Sequence, residues 1–383
     1  MSDRVPEEAT GVDVGVGDWG YEVPVGTGDG SYDVRVGSAL LGNLSAMLEN
    51  RAPAHRYAVI SDDNVAPEHG TTVLDSLTGS GFDARLYVFP AGEASKTRKN
   101  WSILTDAMLD DRYGRDSCVV AVGGGVTGDL AGFVAATYLR GIPVVQIPTS
   151  YLAMIDASVG GKTGVDVQAG KNLVGCFHAP KLVVADVDTL ATLPARERVQ
   201  GLVEAFKHGA ILDADYFEYL ETSAQCLLET DVEIATEAIV RSVRIKADVV
   251  THDEREGGLR QVLNFGHTFG HAIEASSTYD VGHGTAVGAG MLLEAELGER
   301  LGVTEEGTGA RIASGLERLG LSLDTLPAVD VEDALCFLAS DKKARSGRSR
   351  YVLLHRLGEV ADNGGWSREV PDSLVREVLN ELG

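Results

Sequence analysis

The chain has 383 residues, 44% of them apolar, enough to bury a substantial core and to form two domains rather than one. Its formal charge of -24 excludes nonspecific nucleic-acid binding as a main role, because a phosphate backbone would be repelled. No apolar run reaches membrane-spanning length, since Asp129, Arg140 and Asp156 interrupt the most hydrophobic third, and the acidic, Gly-rich start has neither the basic nor the apolar part of a signal peptide. A cytoplasmic protein with no membrane partner is expected.

Cys118, Cys176, Cys226 and Cys336 stand far apart, without the spacing of a zinc ribbon or a disulfide framework. Arginines number twenty-four and lysines only nine, so the surface suits high salt and predicts a salt-adapted, halophilic source. Where lysines occur, they are informative.

Residues 1–18 read as a loose acidic leader. YEVPVGTGDGSYDVRVG then reads as two strands about a Gly-Asp-Gly turn. RYAVISDDN and ARLYVFPAG have the β-branched and aromatic content of strands, and SCVVAV and IPVVQIPTS are buried-strand runs. Their alternation with helical segments predicts an α/β domain with a parallel sheet over 19–190. From TLPARERVQGLVEAFKHGAI, with Pro194 as a first-turn residue, helical periodicity dominates and predicts an all-α domain over 191–383. YVLLHRLG (351–358) reads as a short late strand.

In SCVVAVGGGVTGDLAGF, Gly123, Gly125 and Gly128 fall in G-x-G-x-x-G register between a strand and a helix. Such glycines let the backbone approach a pyrophosphate at a helix N-terminus. The acid expected about 20 residues later is missing, so the standard Rossmann pattern fails. An acidic strand end stands upstream at Asp62, from which a ribose contact can come. TSYLAMIDASVGGKTGVDVQAGKNLVGCF sets Asp156, Lys162, Asp166, Lys171 and Asn172 among glycines between the two domains. Two lysines and an asparagine in a lysine-poor chain predict an anion site rather than a surface linker. Glu204 and Lys207 share one helix face.

GLRQVLNFGHTFGHAIEA places Arg260, Asn264, His267 and His271 at i, i+4, i+7 and i+11, one face of one helix. The stripe holds no acid while Glu274 and its surroundings are acidic as a surface should be, which predicts a buried site. Gly266 and Gly270 imply close backbone packing. His267 and His271 have the i, i+4 spacing of the H-E-x-x-H zinc motif, but Thr268 replaces the catalytic acid, so a metalloprotease is rejected. Further candidate ligands are His283 and a carboxylate such as Glu204, with His208 competing on the same helix face.

GGGVTGDLAGFVAATYLRG, DASVGGKTGVD, GKNLVG, LPARERVQGLVEAFKHG, DEREGGLRQVLNFGHTFGHA and DKK, in this order from about Asp62 to Lys343, resemble the 3-dehydroquinate synthase family of the sugar phosphate cyclases. The resemblance implies a divalent metal, zinc or cobalt, on Glu204, His267 and His283, which moves His271 from the metal to the substrate. It implies NAD binding by Asp62, Asn64, Glu93, Lys96, Gly124, Gly125, Asp129, Thr149, Ser150, Lys162, Lys171 and Thr192. For a sugar phosphate substrate it implies Asn172, Lys246, Arg260 and one of Lys342 and Lys343, with Asp156, Lys162, Lys207, Asn264 and His271 closest to the chemistry. Arg140 resembles an arginine donated across a homodimer interface.

The implied reaction turns a seven-carbon keto-deoxy sugar phosphate into 3-dehydroquinate and phosphate, with NAD used and regenerated in one turnover. The rivals are sister cyclases making deoxyinosose or valiolone, a metal- and NAD-dependent polyol dehydrogenase, and a noncatalytic NAD-binding protein. Where many family members have His-Gly-Glu at the third ligand, this chain has His283-Gly284-Thr285. That difference predicts a missing carboxylate behind the metal ligands.

Overall fold

The computed structural model describes residues 12–28, 30–277, 281–321, 331–340, 349–362 and 364–381. Residues 1–11 of the leader, and Lys342 and Lys343, lie outside the described residues. The chain divides into two compact units, an α/β unit of Gly11–Pro194 with Ala235–Thr251 and a helical unit that includes Ala195–Ile234 and His252–Gly383.

In the α/β unit, β1 (Gly15–Gly17), β2 (Gly20–Thr27) and β3 (Gly30–Gly37) form an antiparallel ribbon. There follow α1 (Leu44–Arg51), β4 (Tyr57–Asp62), α2 (Thr71–Gly79), β5 (Ala84–Phe89), α3 (Arg98–Asp110), β6 (Cys118–Gly123), α4 (Gly125–Thr137) and β7 (Val144–Pro148). A separate antiparallel hairpin, β8 (Lys162–Val167) and β9 (Gly170–Phe177), precedes β10 (Leu182–Asp186). The main sheet runs β1-β2-β3-β10-β7-β6-β4-β5 and is parallel from β3 onward.

Strands β4, β6, β7 and β10 are buried along their whole length, as expected where helices cover both faces. Alternation sorts their side chains. Ala58, Ile60, Val119 and Ala121 pack with Leu104 and Met108 of α3 and Leu130 of α4, while Tyr57, Val59, Cys118 and Val120 pack with Leu44 of α1 and Val73 of α2.

The segment that carries Lys162, Asp166, Lys171 and Asn172 forms the β8–β9 hairpin, whose charges and glycines hide the strand pattern. A Cβ on Gly175 would stand 2.1 Å from the Thr163 carbonyl oxygen, so only glycine lets these strands meet. Strand β10, in KLVVAD, also went unread.

The helical unit is built on α5 (Ala195–Leu212), α6 (Ala214–Leu228), the start of α7 (Val232–His252), α8 (His267–Ser276), α9 (His283–Arg300), α10 (Thr308–Arg318) and α11 (Val331–Ser340). A small hairpin of β11 (Leu354–Arg356) and β12 (Glu359–Val360) precedes α12 (Asp372–Asn380), so the unit is not wholly α. The two units divide between Pro194 and Ala195, and Ala235–Thr251 packs with the α/β unit, where Thr251 Oγ1 accepts a hydrogen bond from the Gly26 N–H at 2.9 Å.

The polar stripe does not lie on one helix. Leu259–Asn264 is a 3₁₀ turn, and the chain then bends at Gly266, which has φ 78°, before α8 begins at His267. The Gly266 N–H donates to the buried Glu294 carboxylate at 3.0 Å, satisfying a donor that the bend frees. The bend exists because α9 crosses directly beneath it, where a Cβ on Gly290 would stand 1.9 Å from the Gly266 carbonyl oxygen. Gly270 packs likewise, 3.2 Å from the Val287 backbone by the same measure, as the sequence glycines implied. Glu274, read as a surface acid, is 4% exposed.

Replacing Gly290 by Ala forces α8 and α9 apart and should lower the unfolding free energy by about 1–3 kcal/mol. Denaturant titration checks this against Gly42→Ala, where the added methyl meets open space and stability should hardly change.

Candidate functional site

The loop between β6 and α4 stands where the sheet order reverses. From β4 the chain builds outward to β5, then returns to the other side of β4 with β6 and continues to β7 and β10. Ligands of open α/β sheets bind at such a switch point, beyond the carboxyl ends of the strands. This topology sets an acid from upstream on the neighbouring strand, since Asp62 ends β4, which pairs with β6. Asp62 Oδ2 accepts from Thr127 Oγ1 at 2.9 Å, and Oδ1 accepts from the Asn64 and Val65 N–H groups, so the carboxylate fixes the turn and joins it to α4.

Thr149 donates its N–H to the Gly123 carbonyl at 3.0 Å, which sets Thr149 and Ser150 beside the glycines. A Cβ on Gly124 would lie 3.6 Å from Ser150 Oγ, and one on Gly125 would lie 3.3 Å from the Ala157 Cβ. The glycines thus keep open a space at the first turn of α4, whose N–H groups have no partners within the helix. That cradle fits a dinucleotide pyrophosphate. Thr192, by contrast, is joined to His69, Oγ1 to Nε2 at 2.7 Å.

Lys96 is 3% exposed, with Nζ 2.6 Å from Asp129 and 3.6 Å from Glu93. Burial would lower its pKa, but Asp129 and Glu93 outweigh burial and raise it. Asp166 connects this turn to the hairpin, its N–H donating to the Lys96 carbonyl at 2.7 Å and its Oδ1 accepting from the Asn172 N–H at 2.8 Å. Asn172 thereby holds a φ of 55° at an exposed position near the start of β9, beside Lys171. Lys162 is exposed at the start of β8. Lys246 of α7 is 5% exposed and places Nζ 2.5 Å from both Oδ1 and the carbonyl of Asp156. Arg140 is exposed, with a φ of 71°.

In the helical unit, Glu204, His267 and His283 converge, their ligand atoms all within 4.8 Å of one another. The two Nε2 atoms lie 3.5 and 3.4 Å from Glu204 Oε1. Glu204 is fully buried, and neither of its oxygens accepts a well-formed hydrogen bond among the described residues. Lys207, 1% exposed, pairs with Oε2 from the next turn of α5.

Burial would raise the Glu204 pKa, yet Lys207, His267 and His283 hold it well below the usual carboxylate range. Burial would lower the His283 pKa, yet Glu204 and Glu274 raise it to about 10. Carboxylate and imidazole thus each favour the charged form of the other. His267 donates Nδ1–H to the Phe265 carbonyl at 3.2 Å, leaving its Nε2 lone pair toward Glu204. Two anchored imidazoles and one sealed carboxylate oxygen match the kind of N/O donor set that catalytic zinc takes, three protein ligands with a position kept open.

His271 packs against both histidines, with ring centroids 5.5 Å from His267 and 6.5 Å from His283, but stands outside the three-residue cluster. Arg260 is 2% exposed; its N–H donates to Asp253 at 3.0 Å and its guanidinium to the Glu254 carbonyl. Asn264 Nδ2 donates to Glu256 at 2.8 Å. The predicted residues therefore fall in two groups, with Glu204, Lys207, Arg260, Asn264, His267, His271 and His283 in the helical unit. The others that lie within the described residues stand in the α/β unit.

Sequence reasoning missed Glu274 and Glu294 as organisers, since each is one acid in an acidic chain. The predicted gap behind the third ligand is also corrected: Thr285 pairs with Gln200, while Glu274 Oε2 stands 3.3 Å from His283 Nδ1.

Residues 86–200 match the family model of the 3-dehydroquinate synthase N-terminal region, and residues 201–344 that of the C-terminal region. A 3-dehydroquinate synthase of Symbiobacterium thermophilum is 45% identical over 325 residues, 84% of this chain and 91% of that protein. Among solved structures, a 2-deoxy-scyllo-inosose synthase complexed with carbaglucose-6-phosphate, NAD+ and Co2+ superposes with a TM-score of 0.86 at 27% identity, covering 94% of this chain and 99% of the other. A 2-epi-5-epi-valiolone synthase of Streptomyces hygroscopicus subsp. jinggangensis 5008, with NAD+ and Zn2+ bound, gives 0.83 at 29% identity, over 92% and 96% of the two chains. Since both halves of the family model match, and a relative shares nearly half its residues along most of its length, the chain belongs to the 3-dehydroquinate synthase family.

Proposed function

We infer that this protein is a 3-dehydroquinate synthase, a carbon–oxygen lyase that converts 3-deoxy-D-arabino-heptulosonate 7-phosphate (DAHP) to 3-dehydroquinate and phosphate in the shikimate pathway. The carrying observation in the structure is the convergence of Glu204, His267 and His283 on one sealed carboxylate oxygen. The 45% identity to a dehydroquinate synthase, against 27–29% to the two sister cyclases, favours this substrate over theirs.

Glu204, His267 and His283 would hold the divalent metal, zinc or cobalt. The glycine cradle, with Asp62, Asn64, Glu93, Lys96, Asp129, Thr149, Ser150, Lys162, Lys171 and Thr192, would hold NAD. When bound, NAD supplies reversible hydride transfer at C5 and the metal polarises the C5 hydroxyl.

The chain's own residues do the rest. Lys162, Asn172, Arg260 and one of Lys342 and Lys343 bind the phosphate and stabilise its charge as it leaves. Lys207, Asn264 and His271 orient the open-chain enolate for attack on the C2 carbonyl, which closes the ring. Asp156 fixes the Lys246 ammonium, which adds positive charge for the substrate.

Given DAHP, catalytic NAD and zinc or cobalt, the protein should release phosphate with no net change at 340 nm. Stoichiometric NADH would instead identify a dehydrogenase. Chelation should abolish turnover, and added zinc or cobalt should restore it. Arg260→Ala should raise KM for DAHP by about 10–100-fold, the loss expected for a hydrogen bond to a charged group, and far less for NAD. Steady-state kinetics with each substrate varied in turn checks this, and equal effects on both would contradict the phosphate role.

The acidic, lysine-poor composition supports a cytoplasmic protein of a salt-adapted cell, and the exposed Arg140 supports a homodimer. In a KCl series, the unfolding midpoint should rise with salt while light scattering reads a dimer mass. A midpoint indifferent to KCl would refute the salt adaptation, and a monomer mass the dimer.

A further inference from the structure

Helix α9 begins on the backbone of α5. A Cβ on Gly284 would stand 2.2 Å from the Gln200 carbonyl oxygen, and the Gln200 side chain grips Thr285, accepting its N–H at 3.0 Å and donating Nε2 to its Oγ1 at 2.7 Å. Thr285 therefore fastens the start of α9 to α5. One turn along α5, Glu204 faces His283 Nε2 at 3.4 Å. On the opposite edge of the ring, Glu274 Oε2 lies 3.3 Å from Nδ1. Glu274 is 4% exposed and stands seven residues after His267, two turns along the same face of α8. One face of α8 thus presents both a donor to the cluster and the carboxylate behind the other histidine.

We propose that Glu274 is the positioning residue of the metal centre: its carboxylate fixes the ring orientation and tautomer of His283, so that Nε2 is the donor. An acid on the far nitrogen of a ligating histidine sets the ring's direction and raises its basicity. In this chain that acid comes from α8, and the position two residues after His283 is left to pin the helix. The inference rests on reading Glu204, His267 and His283 as metal ligands.

The test uses the full chain stripped of metal. Zinc affinity is measured by competition with a chromophoric chelator for the unsubstituted protein, Glu274→Gln and Glu204→Gln, together with NAD affinity and the melting temperature of each metal-free form. Glu274→Gln should bind zinc about 10–100-fold more weakly, the range expected for such outer partners, while its NAD affinity and metal-free melting temperature stay those of the unsubstituted protein. Its cobalt form should show a shifted visible spectrum, because the ring no longer holds one orientation.

Unchanged zinc affinity in Glu274→Gln, with the unsubstituted protein binding zinc and Glu204→Gln failing to, would overturn the proposal alone. Loss of zinc and NAD binding in step with a lower melting temperature would also overturn it, marking Glu274 as merely structural. If the unsubstituted protein binds no zinc, or Glu204→Gln binds as well as it does, the ligand reading falls and the proposal with it.

Discussion

The close crossing of α8 and α9 at Gly266 and Gly290 is the constraint on which the helical unit depends. No side chain fits between the Gly266 carbonyl and the Gly290 Cα. Near contact of the backbones leaves the incoming chain no room to continue as one helix, so it bends at Gly266, and Glu294 takes the N–H that the bend exposes. His267 is consequently the first residue of α8, and its Nδ1 reaches back to the Phe265 carbonyl outside the helix. An imidazole in mid-helix would have found that carbonyl already taken. His283 likewise opens α9, where Gly282 and Gly284 admit the Gln200 side chain and backbone. Two helix starts thus aim two imidazoles at Glu204, a residue that 18-residue α5 holds rigidly in its interior.

Buried charge is the second theme. Lys96, Lys207 and Lys246 are each 5% exposed or less, and each is paired with an acid, Asp129, Glu204 and Asp156 respectively. Lysine is almost never fully buried without a partner. Nor does a buried ion pair reliably stabilise a fold, because the desolvation of both ions rivals their attraction. A chain that uses arginine nearly three times as often as lysine, yet buries three of the seven lysines among its described residues, keeps them for something other than stability.

The parallel sheet was legible because its strands are apolar runs buried on both faces, a pattern that charge bias does not disturb. The glycine loop was legible because it follows such a run, but the acid on the neighbouring strand, Asp62, lies outside the usual spacing. The sheet order supplies the cause: β4 and β6 are neighbours in space but are separated in sequence by α2, β5 and α3. Periodicity misled at Arg260–His271, where i, i+4, i+7, i+11 spacing is real but the helix is interrupted by a packing contact 24 residues downstream of Gly266. No local signal carries such a contact. Glu274 was illegible for a statistical reason, since among 57 acidic residues an acid buried behind a histidine looks like any other. The lysines stood out because they are scarce.

Scarcity of lysine and excess of acid have a joint electrostatic consequence. A dinucleotide and a sugar phosphate are both anions, and a surface of net charge -24 repels them at long range. Salt weakens that repulsion, since the screening length falls to about 3 Å at 1 M, but it weakens attraction by exposed cations equally. Cations sealed from solvent are screened far less. An acidic protein that binds anions is thus best served by a few buried positive groups, held by carboxylates and backbone carbonyls, and by uncharged donors such as the first turn of α4. Lys96, Lys207, Lys246 and the Arg260 guanidinium meet that condition, each with less than a tenth of its surface in water. The pairing acids and carbonyls hold these groups in place, so the chemistry of the interior is insulated from a surface adapted to a different demand.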